Sequence, residues 1–285
     1  MKSDHAKLSV PNRIGVYMAL ILLSIPALLP LLWMVSTSLK GTEQIFAPSG
    51  ESFNFSMLIP RPVVPQNYPD ALQTVPFLVY LRNTVFLCLF TVIGAVASSA
   101  VVAYGFAKIQ FAGKNILFMV MIATMALPGQ VTMIPVFSIF RALGWYGTYL
   151  PLIVPAFCSS AYYVFLLTQF FKTLPLEMSE AARVDGASEW TIFSRLVLPL
   201  SKPALATCAL FQFIGTWNDF LGPLLYVNDT AKYPLAYGLQ QFVSLYGGQY
   251  AQLMAAATLF TIPIIVLFFF AQKTFIQGIS TTGGK

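Results

Sequence analysis

Charge is what this chain has least of: 9% of its 285 residues are Asp, Glu, Lys or Arg, while 57% are hydrophobic. A water-soluble domain carries about a quarter charged residues because its surface must be wetted. A surface this poor in charge has lipid as its outer solvent, which excludes an ordinary soluble enzyme or binding module. Cysteine is scarce as well. Cys88, Cys158 and Cys208 each sit alone in an apolar run, so neither a CxxC metal or redox pair nor a disulfide framework is available. The single histidine, His5, lies in the polar N-terminal tail and is read as an exposed side chain. No cluster of His, acid or Cys marks a catalytic centre or a metal site.

Long apolar runs are what the chain does have. Six segments stand out, at about 14–35, 84–105, 116–140, 149–171, 204–227 and 254–272. A hydrocarbon core of about 30 Å needs about 20 apolar residues per helix, so each segment is long enough to span. The expectation is an all-α polytopic protein, one transmembrane domain over 1–285 with six helices. The first run is too long for the apolar core of a secretion signal and has no small-x-small cleavage site, so it reads as a retained span.

Lys and Arg set the orientation. With the N-terminus in the cytoplasm, Lys2, Lys7, Arg13, Lys108, Lys114, Lys172, Arg183, Arg195, Lys202, Lys273 and Lys285 fall inside. Lys40, Arg61, Arg82, Arg141 and Lys232 fall outside. Eleven against five is the positive-inside bias, and it places both termini in the cytoplasm. The net charge of +6 is explained by this bias, and no nucleic-acid partner is implied. Trp145, Tyr146, Tyr149, Tyr226, Tyr233 and Tyr237 gather near the outer interface, as an aromatic belt or, for one or two of them, as sugar-stacking surfaces.

The two long connections differ. Residues 36–83 contain Pro48, Pro60, Pro62, Pro65, Pro69 and Pro76, which argues against a long helix there. Residues 172–203, on the inside, read as helix, turn, helix. Pro175 suits a first turn, Leu176 to Val184 has no breaker, Gly186 can end that helix, and Ser188 can cap the next.

The inner loop has the chemistry of a docking element. Ala181 and Ala182 allow close approach, Glu180, Arg183 and Asp185 offer charge, and Gly186 permits a sharp turn. Trp190 and Phe193 are large apolar groups of the kind that anchor interfaces. Taken alone, the same residues also fit a loop folded back on its own membrane domain.

The stretch Glu180-Ala181-Ala182, three residues, Gly186, and the Leu196-Val197-Leu198-Pro199 end resembles the EAA loop of ABC importer permeases. Asn83 to Lys108, with Ser98, Ser99, Ala103 and Tyr104, resembles that family's second-span block. Phe213 to Leu224, with Trp217-Asn218-Asp219-Phe220, is similar to the sugar-type branch, as is the tail from Gln272 through Gly278 to Gly283-Gly284-Lys285. The likeness runs over roughly 80–285 and points to maltose-type carbohydrate permeases, on the side of the smaller, six-span partner.

The resemblance implies a permease subunit of a carbohydrate importer in the bacterial cytoplasmic (inner) membrane. Its implied partners are a second homologous permease, two ATP-binding cassette subunits, an extracytoplasmic solute-binding protein and membrane lipids. It also implies that Glu180, Ala181, Ala182, Arg183, Asp185, Gly186, Trp190, Leu198 and Pro199 dock on the ATPase. This chain has no phosphate loop of its own: Gly113-Lys114 is followed by Asn115 and has no glycine five residues before it. ATP and Mg are therefore expected on the partner subunits, with no cofactor here. The Gly247-Gly248-Gln249 triplet is read as coincidence.

For the solute route, Asp219 is the sole acid inside an apolar segment and must face protein or water, either in a local hydrogen bond or at the substrate. Pro128-Gly129-Gln130 interrupts the third segment, with Pro135 following, and a broken helix at depth belongs where it faces protein or a cavity. Gln130, Tyr162, Tyr163 and Asn218 join Asp219 as candidate lining residues. An ion-coupled secondary transporter is the rival, but it would place ionisable groups in mid-span, where this chain has almost none. A membrane-embedded enzyme would need a cluster that is absent.

Overall fold

The computed structural model describes residues 10–46, 55–244 and 249–280. His5, Pro48, the Gly247-Gly248 pair and the terminal Gly283-Gly284-Lys285 lie outside them. The described residues form helices and connecting turns, with no strand among them. We number the main helices α1 (Val10–Ser38), α2 (Asn67–Thr74), α3 (Phe77–Lys108), α4 (Lys114–Thr124), α5 (Gly129–Ala142), α6 (Ala161–Thr173), α7 (Leu176–Val184), α8 (Glu189–Ile192), α9 (Lys202–Trp217), α10 (Leu221–Tyr226), α11 (Leu235–Ser244) and α12 (Tyr250–Ser280).

Among the described residues four helical stretches are long and apolar enough to cross a membrane: Asn12–Ser38, Phe77–Lys108, Leu150–Thr173 and Tyr250–Phe270. The number becomes six if each of two bent pairs counts as one span. The first pair is α4 with α5, bent by 97° where Pro128-Gly129-Gln130 was expected to break the third segment. The second joins Glu189–Leu200 to α9 at 78°.

The fifth apolar segment differs from expectation. The helix begins at Lys202 and stops at Trp217, well short of 227, and α10 resumes at Leu221. Side chains cause the break. Asn218 Nδ2 donates to the Ile214 carbonyl at 2.8 Å, and Asp219 Oδ1 takes the Gly222 N–H at 2.9 Å. Short polar side chains that bond the nearby backbone compete with helical hydrogen bonding in this way. The second span also starts earlier than expected, at Phe77.

The chain divides into two compact units. The first comprises residues 1–75 and 239–261. In it the described part of the proline-rich segment up to residue 75 forms short turns and the eight-residue α2, and is tied down by polar contacts. Asn67 Nδ2 donates to the carbonyls of Ser38 and Lys40, both at 2.9 Å, and Lys40 Nζ lies 4.3 Å from the Trp33 ring centre. Burial lowers the Lys40 pKa.

The second unit, residues 76–238 and 262–285, holds the main core. α3 packs on α6 and α9 through small residues, among them Ala95, Ala100 and Ala103, which let the helices approach closely. Val164, Leu167, Phe171 and Cys208 fill the space opposite. Gly94 is obligatory here, because a Cβ on it would stand 2.6 Å from the Phe157 ring. Two hydroxyls brace a break in the fourth apolar segment: Ser98 Oγ accepts the Ser159 N–H and Ser99 Oγ the Ser160 N–H, each at 3.0 Å. Ser159 itself sits at φ 65°, a left-handed conformation that non-glycine residues rarely adopt.

Candidate functional site

The loop 172–203 folds as helix, turn, helix, as its sequence reads. Pro175 stands at the N-cap position of α7, one residue ahead of the first turn expected for it, and the helix ends in paired turns at Gly186, whose φ is +79°. The Ala187 N–H reaches the Ala182 carbonyl at 2.9 Å and the Gly186 N–H the Arg183 carbonyl at 3.0 Å, a Schellman ending that favours glycine at the left-handed position. Ser188 Oγ then accepts the Thr191 N–H at 3.3 Å and caps α8. A wide π turn, Phe193–Val197, carries the chain into Leu198–Leu200.

The loop's two faces have separate duties. Ala182, Ala187 and Leu198 pack against the core, and Ile192, Phe193 and Val197 are buried in it. Pointing away are Glu180, Ala181, Asp185, Gly186 and Pro199, all exposed. Two large apolar groups share that exposure, Val184 at 88% and Trp190 at 66%. Of the two alanines, then, Ala181 is available to a partner and Ala182 is used internally. Phe193 is likewise an internal anchor, with its ring 5.1 Å from Tyr104 and 5.4 Å from Trp190.

Arg183 is also spoken for. Its Nε donates to Glu189 Oε1 at 2.6 Å, while Tyr104 Oη on α3 donates to Glu189 Oε2 at 2.5 Å. Glu189 thereby joins α7, α8 and a membrane-embedded helix. Those bonds, the Arg183 one foremost, hold the Glu189 carboxyl below its ordinary range, and the same bond raises Arg183. Lys108, at the end of α3, adds a second tie through its Nζ to the Leu174 carbonyl at 2.8 Å. Neither cross-link was read from the sequence, because each joins positions at least 66 residues apart.

The solute-route candidates are only partly brought together. Gln130 and Asp219 line one cavity of about 290 Å³, along with Gly129 and Tyr226. Asp219 also lines a second cavity of about 250 Å³, with Thr91, Gln212 and Thr216. Those three form a chain, Thr91 Oγ1 to Thr216 Oγ1 at 2.9 Å and Gln212 Nε2 to Thr216 Oγ1 at 3.1 Å. Sequence reasoning missed them, although Gln212 and Thr216 stand one helical turn apart on an apolar helix, a spacing that puts both on one face. Gly222 lets the carboxylate close in, since a Cβ there would collide with Asp219 Oδ2 and stand 2.9 Å from Leu152 Cδ2. Asn218 is exposed and bonds its own helix. Tyr163 is buried in the core, and Tyr162 lies half out against Phe211, ring centres 6.2 Å apart.

Comparison with known proteins agrees with this architecture. Residues 95–281 match the family of binding-protein-dependent transport system inner membrane components. The arabinooligosaccharides transport system permease protein AraQ of Bacillus subtilis is 34% identical over 71% of this chain and 72% of its own. The diacetylchitobiose uptake system permease protein NgcG of Streptomyces coelicolor is 29% identical over 92% of this chain and 85% of its own. A chain from the crystal structure of a bacterial ABC transporter involved in import of the acidic polysaccharide alginate superposes with a TM-score of 0.78 at 26% identity. That likeness covers 93% of this chain and 98% of the other. With the family match over most of the chain and several apolar helices to cross the membrane, the protein is a multi-pass membrane protein that belongs to the binding-protein-dependent transport system inner membrane components, the permeases of ABC transporters.

Proposed function

We propose that this chain is the permease subunit of an ATP-driven importer of a carbohydrate, and that the loop 172–203 is where a separate ATPase docks. The observation that carries the docking is the split of that loop into two faces. One face is welded to the bundle through Phe193 and Glu189, and the other leaves Ala181, Val184 and Trp190 uncovered. A small residue flanked by exposed apolar groups on a rigid short helix fits a partner's groove. ATP and Mg belong to that partner, and this chain does no chemistry.

The cycle is alternating access. Closure of paired ATPases on ATP moves the docked loop, and the ties at Glu189 and Lys108 pass the motion to α3. A soluble binding protein delivers the solute on the outer side, and a second homologous permease completes the pathway. Both termini lie in the cytoplasm under the positive-inside bias. The carbohydrate class rests on relatives named for arabinooligosaccharide and diacetylchitobiose uptake. The two cavities that share Asp219 offer the hydroxyl and carboxylate partners that a sugar's hydroxyl groups require. An ion-coupled secondary transporter is disfavoured by the family membership.

The direct test is two single variants, Val184→Asp and Ala181→Arg, each of which places charge on the uncovered face without touching the core. The membrane-inserted chain should then lose its co-purifying ATPase. Retention of the ATPase by both variants would remove this face from the docking site.

A further inference from the structure

Three lysines meet at one corner of the second unit. Lys108 is the last residue of α3, Lys114 the first of α4, and Lys172 lies in the last turn of α6. Their contacts interlock. Lys108 Nζ donates to the Leu174 carbonyl, two residues past Lys172, and Lys114 Nζ donates to the Ile109 carbonyl beside Lys108, both at 2.8 Å. Lys172 Nζ stands 5.5 Å from the centre of the Phe118 ring, and Phe118 is one helical turn from Lys114 on the same face.

Among the described residues no acid forms an ion pair with them, and Glu177 on α7 acts on Lys108 only from a longer range. Among the described residues the ion pairs are Arg183 with Glu189 and Lys232 with Asp229, and neither includes these lysines. The helix ends alter the sum only modestly. The C-termini of α3 and α6 each contribute about half a negative charge, and the N-terminus of α4 about half a positive one, so roughly +2.5 remains, and the more distant Glu177 and Arg183 oppose each other. Each ammonium has three donors, and the single carbonyl contacts of Lys108 and Lys114 leave donors over.

Below this charge the surface turns apolar. Phe106 packs on Phe111 and Phe118, and Phe118 on Phe165, with ring centres 5.2 to 6.4 Å apart. Ile116 and Met119 on α4 and Phe165 on α6 are exposed beside them. Aromatic rings at headgroup level, cations above and exposed aliphatic groups beneath match a phospholipid's own order of parts. An acidic protein surface would answer the charge and leave the apolar groups uncovered.

We propose that this corner binds the phosphate of an anionic phospholipid, with its acyl chains lying along the exposed faces of α4 and α6. Lys172, exposed, meets the phosphate first, and Lys114, half-buried, holds it from the side. The site does not depend on the transported solute or on the ATPase.

The experiment titrates fluorescent phosphatidylglycerol and phosphatidylcholine into the detergent-solubilised protein with whatever chains accompany it. Phosphatidylglycerol should bind the wild type well above phosphatidylcholine. Lys114→Gln with Lys172→Gln should weaken it roughly thirtyfold, from about a five- to sixfold factor per lysine, with phosphatidylcholine unchanged. Lys114→Arg with Lys172→Arg should keep the preference. If the Gln pair does not fold, Lys172→Gln alone, on an exposed side chain, should still lose several-fold. Equal binding of the two lipids by the wild type, or an undiminished preference in the Gln variants, overturns the proposal. Displacement of the lipid by millimolar glycerol phosphate would also overturn it, by showing a soluble phosphate site. A phosphatidylglycerol preference that returns only when the ATPase is stripped off would assign the corner to protein docking.

Discussion

Glu189 holds Arg183 through one carboxylate oxygen, at 2.6 Å, and Tyr104 through the other, at 2.5 Å. One side chain thus fixes the short helix α7 to the helix α3 that runs through the bundle. Charge-assisted bonds of this kind are about twice as strong as neutral ones. With both ionic partners well exposed to solvent, however, the net contribution is up to about 1 kcal/mol. The value of the arrangement is geometric: it leaves α7 little freedom to move without α3.

That geometry gives the first prediction. Glu189→Gln and Tyr104→Phe should each lower the solute imported per ATP hydrolysed, while assembly with the ATPase and basal hydrolysis persist. The two changes should be non-additive, because either one breaks the same link. Measurement is by transport and phosphate release in the same proteoliposomes. An unchanged ratio in both variants would show the link to be structural only.

The same carboxylate sets a pH dependence. Its folded-state pKa lies below the ordinary value of 4.5, chiefly because of the Arg183 bond. A depressed carboxylate contributes stability that is fully present above the unfolded value and is lost as pH falls through the folded one. The melting-temperature difference between wild type and Glu189→Gln should therefore be constant from pH 8 to 6 and shrink below about pH 4.5.

Gly186 stands in the left-handed region with open space where a Cβ would go. A substitution there meets backbone strain and no clash, so Gly186→Val should cost about 1–2 kcal/mol of loop order. Asn tolerates this conformation and should be close to neutral. If the loop couples the chains, the Val variant hydrolyses ATP with reduced uptake while the Asn variant imports normally. Equal uptake by both would separate this turn from coupling.

At Asp219 the expectation concerns the solute. Asp219→Asn keeps the acceptor for the Gly222 N–H and removes the charge shared by both cavities. Uptake should fall without loss of ATPase assembly, and Gln130→Ala, in one of the two cavities, should produce a smaller loss. Gly222→Val should do more damage, because it drives a side chain into Asp219 and Leu152. These are read as initial uptake rates against amount of assembled protein.

Which features were legible in the sequence follows from the range of the interactions that set them. The loop 172–203 was legible almost residue by residue, since a proline, a glycine and a serine act through neighbours within five positions. The bend after Thr124 was legible for the same reason. The break at 218–220 was not, because it contains neither proline nor glycine and arises from Asn218 and Asp219 bonding the local backbone. The division of duty between Ala181 and Ala182 depends on which side of α7 meets the core, a tertiary fact. The Tyr104–Glu189 bond and the cavity of Thr91, Gln212 and Thr216 join distant segments, and a pattern of hydrophobicity carries no information on which polar groups will meet.

The claim on which the functional account rests is that this chain works within a multi-subunit ATP-driven importer. It is tested most directly by affinity purification of the tagged chain from its native membrane, with mass spectrometry of the proteins retained. The account predicts one ATP-binding cassette subunit and a second permease in stable association. A chain that purifies alone, and moves solute alone in vesicles under an ion gradient, would contradict it.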